Sequence, residues 1–303
     1  MGFPALTHAK AILNENRTSL VGGFSPDVTE RDAFSKAYQV PSYSSVDELL
    51  DRETPDLVSI CSPSEFHFAQ VMQCIETAVP MVWLEKPPVL SLSELDGLID
   101  AADRYGNNTR ILVNFQRRYQ DSYNELKRIY QNGEFGDCRG ITLTYSRGLE
   151  TNGSHMLDIL FHITAATGSN ILQWVEKSER ESPNFSLMLS GGLPVMVQGM
   201  ELPYHCIDIS LTFEHGRASV IHGGMKIELE QKIEHEFFPG FHRLQYLPDV
   251  LLAEDDLLQG MQRALSDLID SSEQQREPFS NLKSAQKTQS LMEEVRFQQG
   301  CRQ

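Results

Sequence analysis

Side chains suited to catalysis stand directly after apolar segments of this sequence. Glu85 and Lys86 follow the apolar run Met81–Leu84 and precede two prolines, which fix φ and remove backbone donors, so the strand ends in a stiff turn. A lysine ammonium held there can stabilise negative charge that develops on a substrate oxygen. His155 opens a later apolar segment, and its imidazole can accept or return a proton near neutral pH.

Two arginines follow another apolar run. Arg117 and Arg118 come shortly after Phe115, and a guanidinium fork suits a carboxylate, a phosphate or sugar hydroxyls. Either arginine could instead form an ion pair within the protein. Asp158 lies three residues after His155, on the same face of a predicted helix, where it could orient the imidazole or interact with the first helical turn.

The elements that must position these residues differ between the two parts of the chain. Residues 1–118 alternate helical and strand patterns with nearly continuous apolar strands, which predicts a Rossmann-like parallel sheet covered by helices on both faces. Residues 119–303 predict an α+β domain, with one helix followed by successive strands that form a large, mainly antiparallel sheet and by two closing helices. Ligands bind parallel sheets at the carboxyl ends of the strands, where Glu85 and Lys86 stand.

Composition excludes several classes of function. The chain has 303 residues and a formal charge of −16, which would repel a nucleic-acid backbone. Its five cysteines are odd in number and include no CxxC pair, which argues against a disulfide framework and against a zinc site and favours a cytoplasmic location. No apolar run is long enough for a membrane helix, and we expect neither a metal nor a membrane partner.

Four segments, in this order, resemble the signature of the Gfo/Idh/MocA oxidoreductases, named for glucose-fructose oxidoreductase and inositol dehydrogenase. They are a turn with a following histidine (Ser62, Pro63, His67), an EKP triplet (Glu85, Lys86, Pro87), the segment VNFQRRY (Val113–Tyr119) and a GxHxxD motif (Gly153, His155, Asp158). The resemblance implies an NAD(P)-dependent oxidoreductase that moves a hydride between nicotinamide and a secondary alcohol carbon of a sugar, sugar nucleotide or cyclitol. It also implies a homodimer or homotetramer that assembles through the C-terminal sheet.

The same resemblance assigns roles to individual residues. Lys86 and His155, from separate domains, are the expected catalytic pair and converge on one carbon-bound oxygen. The expected cofactor-binding residues are Gly2, Ala5, Leu6, Ser25, Ser62, Pro63, His67, Glu85, Lys86 and Asn114. The expected contacts with a carbohydrate-like substrate are Lys86, Arg117, Arg118, Tyr145, Arg147, Asn152, His155 and Asp158.

The chain departs from the family pattern at three places. Thr151 stands where many members have an aspartate that assists the histidine. Ser25 replaces the acidic residue that normally binds the ribose, so NADP is permitted as well as NAD; Arg31 is nearby, and Asp27 is a candidate substitute for the acid. Aligning His8 with the histidine that closes the glycine-rich signature leaves the first strand off the chain. We expect that the first strand is missing because the sequence is truncated, and that cofactor binding has not been lost, since the other strand-end motifs are intact.

Two other functions stay open. A non-catalytic sugar or nucleotide binder would keep the substrate cleft but lose redox activity together with the first strand. An NAD-dependent glycoside hydrolase would use transient oxidation to cleave a glycosidic bond, as some relatives do, although no residue pattern here favours it.

Overall fold

The computed structural model describes residues 2–105, 109–174, 181–248, 250–251 and 256–300. The chain divides into two compact units. The first unit comprises Met1–Phe115 and Met261–Gln286, and the second comprises Gln116–Gly260 and Lys287–Gln303. Sequence and structure agree on the fold class, which is α/β with a parallel N-terminal sheet and a large, mainly antiparallel C-terminal sheet.

Helices and strands alternate in the first unit. They are α1 Phe3–Asn14, β1 Gly23–Phe24, α2 Val28–Tyr38, β2 Ser42–Tyr43, α3 Val46–Glu53, β3 Leu57–Ile60, α4 His67–Glu76, β4 Met81–Leu84, α5 Leu92–Tyr105 and β5 Arg110–Val113. Within the described residues, β3, β4 and β5 form a parallel sheet in that order, and β1 and β2 form a separate parallel pair. The carboxyl ends of β3 to β5 therefore meet at one edge.

The second unit is built around a long sheet. Its elements are α6 Asp121–Asn132, β6 Cys138–Ser146, α7 Ser154–Thr164, β7 Ser169–Trp174, β8 Phe185–Leu189, β9 Pro194–Met200, β10 Ile207–Phe213, β11 Gly216–Ile221, β12 Lys226–Glu234, β13 His242–Tyr246 and β14 Val250–Leu251. The described strands run in the order β13-β12-β11-β10-β6-β9-β8-β7, with β14 also on β12. All neighbours are antiparallel except β6 and β9, which are parallel.

One face of this sheet is buried and the other is not. Leu143, Val197 and Ile209 point into a core that includes residues of α6 and α7. The alternate positions, such as Thr142 and Met196, are exposed. The predicted homodimer or homotetramer contact through this sheet stays a prediction.

Two closing helices, α8 Asp256–Glu273 and α9 Leu282–Gly300, are divided between the units. The sequence pattern assigns both to the second domain, whereas Met261–Gln286 packs with the first unit. The backbone N–H of Val113 donates to the carbonyl of Ser280 at 2.7 Å, and Leu282 joins the core of the first unit. This segment covers the edge of β5 that would otherwise be free. The local hydrophobic pattern of residues 261–286 does not predict this contact.

None of the helices in the described part of the chain combines the length and the apolar character needed to span a bilayer. The described residues also contain no cluster of three or more His, Cys, Asp or Glu side chains suited to holding a metal ion.

Candidate active site

The ends of β4 and β5 bring Glu85 and Asn114 side by side. The backbone ladder continues for one residue past each strand: Glu85 N–H donates to the carbonyl of Ile60 at 2.9 Å, and Asn114 N–H donates to the carbonyl of Leu84 at 2.7 Å. Asn114 Nδ2 then donates to Glu85 Oε1 at 2.6 Å. The parallel register alone therefore assembles two of the predicted cofactor-binding residues.

A tryptophan and a histidine complete this group. Trp83 Nε1 donates to Asn114 Oδ1 at 3.2 Å, which sets the orientation of the amide so that its Nδ2 faces Glu85. His8, a buried residue of α1, places Nε2 at 2.8 Å from Glu85 Oε1 and Nδ1 at 2.7 Å from Ser59 Oγ. The sequence pattern does not predict His8 as a site residue, since it lies 77 positions from Glu85.

The carboxylate of Glu85 also holds the turn that carries Lys86. The backbone N–H of Lys86 donates to Glu85 Oε2 at 3.1 Å, and the Lys86–Pro87 peptide bond is cis. Lys86 is half-buried. Its backbone is thus held at the strand-end edge of the first unit, as expected for a lysine that acts there.

Charge is concentrated in this buried group. Burial disfavours the imidazolium of His8, but Cys61 and Glu85 outweigh burial and raise the pKa of His8 to about 9. Burial also favours the neutral form of Glu85, yet the hydrogen bond and charge of His8, with help from Asn114 and Lys86, hold the pKa of Glu85 below its usual value. Both His8 and Glu85 are therefore charged at neutral pH.

His67 joins two turns. Its ring is 1% exposed, with Nδ1 at 3.0 Å from the carbonyl of Pro87 and Nε2 at 2.9 Å from the carbonyl of Ser62. Both ring nitrogens thus lie within hydrogen-bonding distance of backbone carbonyls, and the predicted contact of His67 with the cofactor stays a prediction. Ser62 and Pro63 are more accessible, although the Ser62 hydroxyl donates to Gln70 Oε1 at 2.6 Å.

The turn after β1 carries charges of both signs. Ser25 Oγ donates to Glu30 Oε2 at 2.8 Å, while Arg31 Nη1 donates to the carbonyl of Ser25 at 2.8 Å. Asp27 caps α2 by accepting from Glu30 N–H at 3.0 Å, so it does not substitute for the missing acid. Glu30 brings a carboxylate to this turn instead, and it is a candidate ribose-binding residue that sequence register does not find.

The amino terminus of α1 fits an anionic group. Gly2 is the exposed, extended N-cap residue, and among the described residues no side chain caps this helix. The first backbone N–H groups of such a helix suit a pyrophosphate. Ala5 is half-buried and Leu6 is 42% exposed. The donors at α1, the hydroxyl and carboxylate at Ser25 and Glu30, and the amide of Asn114 together match the phosphate, ribose and ring parts of a dinucleotide.

In the second unit, Arg118 and Asp158 bind each other. Arg118 Nε lies 2.7 Å from Asp158 Oδ2, and Arg118 Nη2 lies 2.5 Å from Asp158 Oδ1. The side chains are 5% and 1% exposed, and Thr288 Oγ1 adds a third contact to Asp158 at 3.3 Å. The pair is buried, and Arg118 Nε and Nη2 bind the two carboxylate oxygens of Asp158. The predicted contacts of these residues with the substrate stay predictions.

Tyr145 is likewise internal. It is fully buried, and its hydroxyl donates to the carbonyl of Pro183 at 3.0 Å. Burial raises the pKa of Tyr145 above its usual value. Strand alternation turns position 145 to the covered face of β6, and the predicted contact of Tyr145 with the substrate stays a prediction.

The remaining predicted residues of the second unit lie in a polar group near the start of α7. His155 is the second residue of α7 and is 6% exposed, and Asn152 lies in the preceding turn, with Nδ2 at 3.5 Å from His205 Nδ1. Arg117 Nη1 donates to the carbonyl of Gly223 at 2.6 Å. Burial and the positive charges of Arg117 and Arg147 lower the pKa of His205. His205 thus belongs to this group.

Arg147 is exposed and lies at the rim of a cleft in the second unit. The cleft has a volume of about 530 Å³ and is also lined by Thr151, Glu181 and Arg296. Arg147 has a φ of +67°, a left-handed conformation that is uncommon for residues other than glycine. The adjacent Glu150 forms an ion pair with Arg296 and does not replace the aspartate missing at Thr151.

Comparison with known proteins shows which proteins this chain resembles. Residues 1–115 match the family described as "Oxidoreductase family, NAD-binding Rossmann fold" (GFO_IDH_MocA). Glucose-6-phosphate 3-dehydrogenase of Bacillus subtilis is 29% identical over 146 residues, which are 48% of this chain and 40% of that protein. The first 115 residues of the chain therefore resemble the NAD-binding domain of the Gfo/Idh/MocA oxidoreductases.

A second relative and a solved structure are also similar to this chain. Myo-inositol 2-dehydrogenase of Thermotoga maritima is 26% identical over 144 residues, 45% of this chain and 40% of that protein. The matched segments thus span well under two thirds of these relatives. The fold extends further: the WlbA dehydrogenase from Bordetella pertussis, solved with NADH and UDP-GlcNAcA, is 16% identical with a TM-score of 0.78 over 98% of this chain and 94% of that one.

The predicted catalytic and binding residues fall into two sets, one in each unit. The first unit holds Lys86 with Glu85 and Asn114, and the second unit holds His155 with Asn152 and Arg117. The convergence of Lys86 and His155 on one oxygen stays a prediction.

Proposed function

We propose that this protein is an NAD(P)-dependent oxidoreductase that transfers a hydride between the nicotinamide and a secondary alcohol carbon of a sugar, sugar nucleotide or cyclitol. The observation that supports it best is the buried group of His8, Glu85 and Asn114 at the strand ends, with Lys86 on the same turn. A surface Glu-Lys pair would need neither a buried histidine partner nor an amide oriented by Trp83. The same group argues against a binder that has lost its redox site.

The cofactor, when bound, supplies the hydride acceptor or donor. The backbone at the start of α1 would hold its pyrophosphate, and Ser25 with Glu30 would face the adenosine ribose. Glu85, whose side chain is 14% exposed, would orient the nicotinamide half, and Asn114, 1% exposed, would do so through its hydrogen bond to Glu85. Arg31, on the same turn as Ser25, provides a positive charge that permits NADP.

Two residues would move charge on the substrate. The Lys86 ammonium would donate a hydrogen bond to the carbinol oxygen and stabilise the negative charge that develops as the hydride leaves carbon. His155, at the start of α7, would accept the hydroxyl proton or return it in the reverse direction. Thr151 stands in place of an assisting aspartate, and the nearby Asn152 and His205 lie 3.5 Å apart, between Nδ2 and Nδ1.

Cofactor binding and substitution of Lys86 test this proposal. NADH and NADPH are titrated against the protein by fluorescence, and we expect a Kd on the order of micromolar for at least one of them. Turnover is then sought with glucose 6-phosphate, myo-inositol and a UDP-sugar, the classes that relatives' names point to. Lys86→Ala should lower turnover by about a hundredfold or more and leave the cofactor Kd nearly unchanged.

The matched control is Lys283→Ala, since Lys283 is an exposed lysine of the first unit that pairs with Asp103 on the surface. It should leave turnover and cofactor affinity unchanged. Absence of binding by both NADH and NADPH would end the dehydrogenase proposal. Unchanged turnover in Lys86→Ala would remove the lysine from the mechanism.

A further inference from the structure

His8 contacts the predicted cofactor edge from inside the first unit. Its ring is 1% exposed and stacks on Trp83, with centroids 3.9 Å apart. Its Nε2 lies 2.8 Å from Glu85 Oε1, and its Nδ1 lies 2.7 Å from Ser59 Oγ. Both nitrogens of a buried ring therefore meet polar partners, and one partner is a carboxylate that the cofactor site is expected to use.

The neighbours of the ring determine where its protons lie. The amide of Asn114, fixed by Trp83, presents its NH₂ both to Glu85 Oε1 and to His8 Nε2, at 2.6 and 3.1 Å. The carboxylate is the acceptor between them, so His8 Nε2 carries a proton toward Glu85. The hydroxyl oxygen of Ser59 can accept a hydrogen bond from a second N–H at Nδ1, which makes the site suitable for an imidazolium.

The groups around His8 favour the imidazolium form of its ring. Among the described residues, the titratable groups that face the ring are Cys61 after β3 and Glu85 after β4, and Lys86 lies beyond Glu85. The neighbouring residues from the end of β5 and from α8 are the neutral Asn114 and Met261. Cys61 and Glu85 raise the pKa of His8 to about 9 against the effect of burial. In return, His8 keeps the pKa of Glu85 low although the carboxyl is buried.

We propose that His8 is a positioning residue that holds Glu85 ionised and in one orientation, and that through Glu85 it fixes the backbone of Lys86 and the pH range of cofactor binding. The second carboxylate oxygen, Oε2, accepts from Lys86 N–H at 3.1 Å, so the chain of contacts runs from His8 to the turn of the predicted catalytic lysine. The assignment to cofactor binding rests on the function proposed above. The ion pair itself is tested without cofactor.

The first arm reads the protonation of His8 in the cofactor-free protein. The chain has two tryptophans, so Trp174→Phe leaves Trp83, which stacks on His8, as the only indole. The emission of Trp83 should change with a midpoint near pH 9, and the midpoint should fall in Glu85→Gln. His8→Gln should remove the transition, whereas His242→Gln, the same change at an exposed histidine, should keep it.

Two results of this arm would overturn the proposal. One is a midpoint at or below about 6.5, the ordinary value for histidine. The other is a transition that persists in His8→Gln, because such a transition does not arise from His8. If His8→Gln does not fold, the midpoint in the protein that retains His8 and its fall in Glu85→Gln still decide the matter.

The second arm measures NADH affinity between pH 6 and 9. Affinity should be nearly constant from pH 6 to 8 in the parent protein. In His8→Gln we expect a loss of about tenfold or more at pH 6, with recovery as pH rises, because a buried Glu85 without its imidazolium partner takes up a proton. A flat profile with parent affinity in His8→Gln would refute the positioning role. If the parent binds only NADPH, the same profile is measured with NADPH. If it binds neither cofactor, the proposed function fails, and the first arm still tests the ion pair.

Discussion

Removal of the Asp158 carboxylate should destabilise the second unit strongly. In Asp158→Ala the Arg118 guanidinium, 5% exposed, loses two hydrogen bonds of 2.7 and 2.5 Å and remains buried. In the parent protein burial opposes the charge of Arg118, but the Asp158 carboxylate outweighs it and raises the pKa of Arg118. A guanidinium does not lose its proton near neutral pH, so in Asp158→Ala the buried charge loses its partner. Loss of one partner from such a buried pair costs about 3–5 kcal/mol of unfolding free energy.

Calorimetry measures this effect. For a unit of about 150–250 residues, each kcal/mol lowers Tm by about 2–4 °C, so Asp158→Ala should lower the Tm of the second unit by about 6–20 °C. The matched control is Asp103→Asn, which breaks an exposed pair in which Lys283 and Asp103 are 60% and 63% exposed. That change should cost less than about 1 kcal/mol.

A double substitution separates charge burial from lost packing. Replacement of the pair by apolar residues, Arg118→Met with Asp158→Leu, should restore most of the lost stability, because no uncompensated charge is then buried. If Asp158→Ala melts within about 2 °C of the parent protein and instead weakens substrate binding, Asp158 faces the substrate and the structural role assigned to the pair is wrong.

Two further substitutions test other assignments. Glu30→Gln removes the carboxylate that accepts a hydrogen bond from Ser25. We expect the ratio of NADPH to NADH affinity to rise by about tenfold, since a negative charge there opposes a 2'-phosphate. Titration of both cofactors measures this ratio, and an unchanged ratio would exclude Glu30 from the ribose site. Tyr145→Phe leaves the carbonyl of Pro183 without its buried donor and should cost about 1–3 kcal/mol in urea unfolding. A rise in KM without loss of stability would instead mean that Tyr145 contacts substrate.

Local patterns in the sequence determine much of the fold and the edge at which the site lies. Strands β3, β4 and β5 are short apolar runs separated by helical patterns, so a parallel sheet with its carboxyl ends together follows from periodicity and connection length alone. For the same reason Glu85 and Asn114, each one residue past a strand, are predictable neighbours. These conclusions need no knowledge of what packs on the sheet.

Only the tertiary structure decides which polar groups serve each other. His8 reaches Glu85 across 77 positions, and Arg118 reaches Asp158 across 40, so neither pairing leaves a trace in local periodicity. An arginine beside a strand end looks the same in sequence whether it binds substrate or a buried aspartate. The choice depends on which side chains lose water when the helices pack, because a buried charge must find a partner inside the protein.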